Sequence, residues 1–221
     1  MTNSITPVAF IKSDFTSKFG IPRQSGMTGL VSEVVFTPEF SSPDAVRGLD
    51  GFDYVWLIFG FDRAEQTRNL TVRPPRLGGN ERMGVFATRS PFRPNGLGLT
   101  LVKLVSVDRV NGRTVLKVQG ADAADGSPVY DVKPYLPFFE SHPDARGGFA
   151  EEKLGHKLEV VFPPELKRLI PQEKLDGLID ALSLDPRPAY VTDDREFGFG
   201  FCGKEIKFKV NEKTLTVLDI Y

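Results

Sequence analysis

Between Val72 and Asn95 the chain reads VRPPRLGGNERMGVFATRSPFRPN, a stretch whose residue types could hold an anion. Arg73, Arg76, Arg82, Arg89 and Arg93 stand against Glu81 alone, a local charge of +4. The planar guanidinium grips phosphate or carboxylate through two bonds and stacks on bases, which the point charge of lysine does not. Prolines 74, 75, 91 and 94 stiffen the segment and reduce the entropy lost when a ligand binds. On pattern alone, an anion site and a solvated loop paired with acids elsewhere are evenly matched. A second cluster runs from Asp125 to Pro137, DGSPVYDVKPYLP. Its Asp131 and Lys133, two apart, would share one strand face, where a structural ion pair is the favoured reading.

Other chemistries lack their residues. Gly96-Leu97-Gly98 is followed by Leu99, Thr100 and Leu101, so the third glycine of a dinucleotide fingerprint is missing. Leu77-Gly78-Gly79-Asn80 lacks the Lys-Ser/Thr ending of a phosphate loop. One Cys and two His cannot build a Cys₄ or Cys₂His₂ zinc site or an intramolecular disulfide, and suit a reducing cytoplasm. His142 and His156 fall in no catalytic pattern, and Cys202, between Phe201 and Gly203, reads as a structural thiol in a strand. No run of about 18 apolar residues could cross a membrane, and the first ten residues do not resemble a signal peptide.

The elements that must position these groups are mostly strands. With 18 Phe in 221 residues, β-branched and aromatic runs mark Pro7–Lys12, Thr28–Phe36, Asp53–Phe61, Met83–Thr88, Leu97–Val107 and Arg113–Val118. The nearly unbroken apolar run Asp53–Phe61 predicts a strand buried on both faces. Asn111-Gly112 predicts a two-residue hairpin, Asp125-Gly126 a turn, and Ser42-Pro43 the cap and first residue of a short helix. The stretch from His142 to Lys157 is glycine-rich and charged, as a linker is. Leu175, Leu178, Ile179 and Leu182 recur at helical spacing, in a segment that Pro171 splits. Alternation returns at 197–201, 205–210 and 214–220. The chain therefore reads as mainly β: a β-rich domain over 1–160 and a small α+β domain over 161–221.

Six stretches together resemble the TrmO, or TsaA-like, tRNA methyltransferases. They are Phe19–Gly26 (FGIPRQSG), Ala45–Gly51 (AVRGLDG), Val72–Asn80 (VRPPRLGGN), the thirteen residues Met83–Asn95 (MGVFATRSPFRPN), Asp125–Pro137 and Asp185–Tyr190 (DPRPAY). They occur in the family's order along nearly the whole chain. The resemblance implies a small β-barrel methyltransferase domain of non-Rossmann type, usually a homodimer, that uses S-adenosylmethionine and needs no metal. Its substrate would be tRNA at the anticodon stem-loop, methylated on N6 of threonylcarbamoyl-adenosine at position 37. The cofactor would touch Gln24, Ser25, Gly26, Met27, Asp62, Arg63, Arg89, Leu99, Gln119, Gly120, Ala121 and Asp122. Asp62-Arg63 and Gly96-Leu97 match no fixed family pattern.

Methyl transfer from a sulfonium is an in-line displacement, so positioning supplies much of the rate. The acceptor nitrogen is weakened by delocalisation into the purine, and a proton acceptor beside it should help. Asn95 or Asp131 is expected in that role. Arg76, Arg93 and Lys133 are expected to hold the threonyl carboxylate or RNA phosphate, and Arg187 and Tyr190 to extend the contact. The competing reading is a non-catalytic RNA- or nucleotide-binding barrel using the same arginines. The whole chain carries −1, so the rest of it holds −5 against the +4 segment. Near-neutrality of the whole predicts modest non-specific RNA affinity and a shallow salt dependence.

Overall fold

A computed structural model describes residues 4–17, 19–65, 67, 69–74, 81–153, 157–187 and 195–221. Six strands form a closed barrel: β1 (Ala9–Lys12), β2 (Val31–Phe36), β3 (Tyr54–Gly60), β6 (Leu97–Val110), β7 (Arg113–Gln119) and β8 (Pro128–Pro134). Their order around the barrel is β1-β2-β7-β6-β3-β8, with every pairing antiparallel. Closure leaves no edge strand with unpaired backbone groups. The long β6 and β7 meet at the expected hairpin, where Asn111 (φ 50°) and Gly112 (φ 78°) both take the left-handed conformation of that turn.

Alternation sorts the barrel residues. Val55, Leu57 and Phe59 of β3 are buried with Ile11, Val34, Val102, Leu116 and Val129 in one core. The partly exposed Trp56 and Ile58 lie between them on the outer face. The apolar run of β3 is therefore buried on one face, not two, because a closed barrel has only one inside. Trp56 keeps its polar end paired, donating from Nε1 to Glu140 at 2.9 Å.

Two sequence expectations change here. Met83–Thr88 is not one strand: β5 (Met83–Gly84) pairs with β4 (Thr71–Val72), and Val85–Ala87 then form a 3-10 turn. Ser42 does cap a short element, its hydroxyl accepting from Asp44 N at 3.3 Å, but Pro43–Val46 is a 3-10 turn.

The C-terminal unit holds α2 (Pro164–Lys167), α3 (Gln172–Ser183) and a four-stranded sheet. In that sheet β10 (Phe197–Phe201), β11 (Lys204–Asn211) and β12 (Thr214–Ile220) are antiparallel neighbours, and β9 (Glu159–Val161) pairs with β12 in parallel. Between β8 and this unit lie α1 (Pro137–Glu140) and a 3-10 stretch, Gly148–Lys153. Cys202 sits not within a strand but at the β10–β11 turn, with φ 52°. The helical stripe buries Leu175, Leu178 and Leu182 against Phe199, Phe201, Ile206 and Phe208. That core also takes in Phe15 and Leu30, both from the connection between β1 and β2. Phe15 packs edge-on to Phe201 at 5.3 Å, and Asp14 O accepts from Cys202 N at 2.9 Å. Leu158 and β9 already belong to the second unit, so the expected division at 160 cuts through its first strand, and Phe15 and Leu30 join the second core from the N-terminal half.

Candidate functional site

Beside the outer face of β3 and β6 lies an open cleft of about 2170 Å³. Its walls come from Pro22–Gln24, the β4–β5 arm, the 3-10 stretch at 147–150 and the loop Thr88–Asn95. That loop is braced by its own hydroxyls. Thr88 Oγ1 donates to Val85 O at 2.9 Å and accepts from Ser90 N at 3.3 Å, and Ser90 Oγ accepts from Phe92 N at 3.2 Å. Arg93 closes it by donating to Thr88 O at 3.2 Å. This is how a proline-rich segment with few backbone pairings can present side chains at fixed positions.

Arg73, Arg82, Arg89 and Arg93 all line the cleft. Phe86 and Phe92 line it too and are 75% and 45% exposed, which leaves two aromatic rings open to a ligand beside the arginines. Arg89 donates from Nη1 to Gln24 Oε1 at 2.7 Å. Asp122, also lining the cleft, is mostly buried, and its pKa is raised by desolvation, against the opposing pull of the Thr100 hydroxyl and the Arg89 charge. Among the described residues, Thr100 Oγ1 and Asp122 Oδ1 are the buried side-chain polar atoms without a hydrogen bond. The two are near polar neighbours, and Asp122 is the acidic side chain placed beside Arg89 in this wall.

The expected cofactor residues divide into two groups. Gln24, Arg89, Leu99 and Asp122 face one cleft although they span a hundred residues of chain. The loops carrying Ser25, Gly26, Met27 and Gln119, Gly120, Ala121 are drawn together by Gly26 N donating to Gly120 O at 2.9 Å. A Cβ on Gly120 would come within 2.9 Å of Gly26 N, and its φ is +83°, so only glycine permits this approach. Ser25, Gly26, Met27, Gly120 and Ala121 support the wall without lining it. Gln119 donates to Gly29 O at 2.9 Å, which braces the same loop. Asp62 and Arg63 lie away from the cleft lining. Arg63 donates to Thr16 O at 2.6 Å and to Asp125 O, tying the barrel end to the segment before it.

Asn95 and Arg93 line the cleft, whereas Asp131 and Lys133 do not. Register explains where they are: Asp131 is opposite Ile58, and Ile58 opposite Leu99, so the three form one row across β8, β3 and β6. Ile58 and Leu99 are cleft residues, and Asp131 continues their row outside it. Lys133 pairs with Asp131 at 3.1 Å, as their spacing on one strand face allows. Arg187 is held by Asp185 in two bonds of 2.9 Å. Arg76 and Tyr190 lie outside the described residues, as does His156. Phe86, Phe92 and Gln24's contact with Arg89 are what the structure adds; Phe86 and Phe92 carried only the signal of aromatic rings set among arginines. No cluster of three or more potential metal ligands occurs among the described residues.

Comparison with known proteins gives a consistent picture. The family model of the tRNA-methyltransferase O N-terminal domain matches residues 10–141, and that of the TrmO C-terminal domain matches residues 155–221. The tRNA (adenine(37)-N6)-methyltransferase of Escherichia coli K12 is 43% identical over 191 residues, covering 83% of this chain and 81% of its own. A Pseudomonas aeruginosa protein named "Putative S-adenosylmethionine-dependent methyltransferase RcsF" is 39% identical over 199 residues, covering 86% and 84%. A crystal structure of TrmO from Pseudomonas aeruginosa superposes with a TM-score of 0.79 at 28% identity, covering all of both chains.

Proposed function

Because the chain belongs to the TrmO family of tRNA methyltransferases, we propose that it methylates N6 of adenosine 37 in tRNA from S-adenosylmethionine, with the threonylcarbamoyl form of that base as acceptor. The observation that carries this reading is the cleft itself, where arginines, exposed rings and Asp122 converge. A base within an anticodon loop must leave its stack before its N6 can be reached. Phe86 and Phe92 offer rings to receive it, and Arg73, Arg82 and Arg93 offer charge to the phosphates beside it.

Gln24, Arg89, Leu99 and Asp122 would hold the cofactor in the same cleft. S-adenosylmethionine, when bound, supplies an electrophilic methyl on a sulfonium cation. Asp122 in its charged form suits that cation, and Arg89 and Gln24 offer donors and an acceptor to its polar ends. Arg89 already lowers the cost of keeping Asp122 ionised in a desolvated place. Leu99, 56% exposed, offers an apolar shelf.

Asn95 lies in the cleft and would orient the acceptor nitrogen by hydrogen bonding. Asp131 would take the N6 proton, its row neighbours Ile58 and Leu99 leading from the cleft to its carboxylate. Lys133 would turn from Asp131 to the threonyl carboxylate as substrate enters. Arg76, Tyr190 and the turn carrying Arg187 would extend the RNA contact. The cytoplasm is the expected setting, and a homodimer the expected form. Phe138 and Phe139, 95% and 79% exposed, support a protein contact on the α1 side.

The test incubates the protein and labelled cofactor with tRNA that carries or lacks the threonylcarbamoyl group, then resolves nucleosides by mass spectrometry. Methylated threonylcarbamoyl-adenosine is the expected product. In single turnovers at saturating cofactor, Asn95→Ala and Asp131→Asn should each slow the chemical step by about a hundredfold. Near-wild-type rates in both would remove them from the reaction.

A further inference from the structure

Arg89 is an exposed arginine, and a free side chain of this kind has considerable rotamer entropy to lose when it grips a ligand. Here that freedom is curtailed by a chain of bonds that begins in the C-terminal unit. Asp185 follows α3, whose leucines are anchored in the second core, and takes a φ of 54°. Its carboxylate holds Arg187 in two bonds of 2.9 Å and accepts from Arg187 N at 3.3 Å, which makes the turn 185–187 rigid. The carbonyls of Asp185 and Arg187 both point at one guanidinium: Arg23 Nη2 donates to them at 3.1 and 3.0 Å. Arg23 O in turn accepts from Gln24 Nε2 at 2.6 Å. With one of its two N–H groups engaged there, the Gln24 amide is held so that its oxygen is turned toward Arg89. That oxygen accepts from Arg89 Nη1 at 2.7 Å.

We infer that Arg23 is a positioning residue through which the C-terminal unit holds Arg89 in its ligand-gripping pose. The inference rests on the reading of this cleft as the cofactor site. It assigns the second unit a task besides any contact with RNA, since cofactor affinity then depends on residues 185–187, which do not line the cleft.

The test is a double-mutant cycle in the full-length protein. S-adenosylmethionine Kd is measured by calorimetry for wild type, Arg23→Ala, Arg89→Ala and the double variant, with thermal unfolding recorded for each. Arg23→Ala should weaken binding about fivefold in the wild-type background and change nothing further once Arg89 is gone. Arg23→Lys, which keeps a cationic nitrogen able to donate to the two carbonyls, should recover part of the loss and serves as the reading if Arg23→Ala does not fold. Equal losses in both backgrounds, or no loss from either Arg23 variant while Arg89→Ala does weaken binding, would overturn the positioning role alone. An unchanged Kd in Arg89→Ala would instead overturn the cofactor reading of the cleft, and the inference with it.

Discussion

The barrel core is almost wholly aliphatic and is supplied by strands that close on one another, whereas the C-terminal core sets phenylalanines among its aliphatic residues and is completed from outside. Ile11, Val34, Leu57 and Leu116 fill the first; Phe199, Phe201 and Phe208 fill the second, with Phe15 and Leu30 reaching in from the N-terminal half. Phe19, Phe197 and Phe208 stack at 5.8 to 6.5 Å, so flat rings pack where a single sheet and one long helix leave a wedge. Closure satisfies the barrel's backbone internally, which frees its loops to form a cleft. Among the described residues, none beyond Ala150 lines that cleft. The first unit therefore lines the cleft, and the second reaches it only through the N-terminal segment that packs in both.

The strongest way to break this contrast is Phe15→Ala. The ring is 2% exposed, and removing it should cost about 3–5 kcal/mol by urea unfolding. Hydrogen exchange should then show β10 to β12 losing protection before the barrel strands. Equal loss in both would mean that the two cores fold as one.

Phe92→Ala addresses the barrel side. Losing a stacking ring should raise KM for tRNA about tenfold, with cofactor Kd unchanged, and Phe92→Trp should restore it. A KM within twofold of wild type would leave the exposed ring without a base to cover it.

The smallest effect is expected at Asp122. Burial raises its pKa in the folded protein, with Thr100 and Arg89 acting against that. A folded carboxyl that holds its proton more tightly than the unfolded chain favours folding at low pH. Stability is therefore lost as pH rises from the ordinary carboxylate value of 3.8 through the raised folded one. Asp122→Asn should flatten that decline in urea melts across the acid range, and should weaken binding of the sulfonium cofactor more than of its uncharged demethylated product. Parallel pH profiles, or equal losses for both ligands, would show that Asp122 carries no charge toward the cleft.

Much of the site was legible because its parts are local. Arg89, Arg93 and Asn95 lie in one stretch whose Thr88 and Ser90 hydroxyls close bonds within three residues of themselves, so a motif could reveal it. Asp131 and Lys133 paired as two residues on one strand face should. Arg63 was not legible, because its partners Thr16 O and Asp125 O are 47 and 62 residues away and are backbone atoms without a residue signature. The expected strand at Met83–Thr88 failed for a related reason. Its apolar residues suit a strand, but only Met83 and Gly84 find a partner in β4.

By itself, the sequence determined the features that local period and residue type dictate: five of the six barrel strands through β-branched and aromatic runs, the hairpin at Asn111-Gly112, the helix stripe of α3 and the family through its arginine-rich motifs. Only the tertiary structure decided that β3 has one buried face, that Phe15 and Leu30 complete the second core, and that Arg23 reaches the turn 185–187. The physical reason is the range of the interactions. Propensity and periodicity act over a few residues, while a hydrogen bond to a carbonyl 162 positions away exists only once both cores have closed around the chain between them.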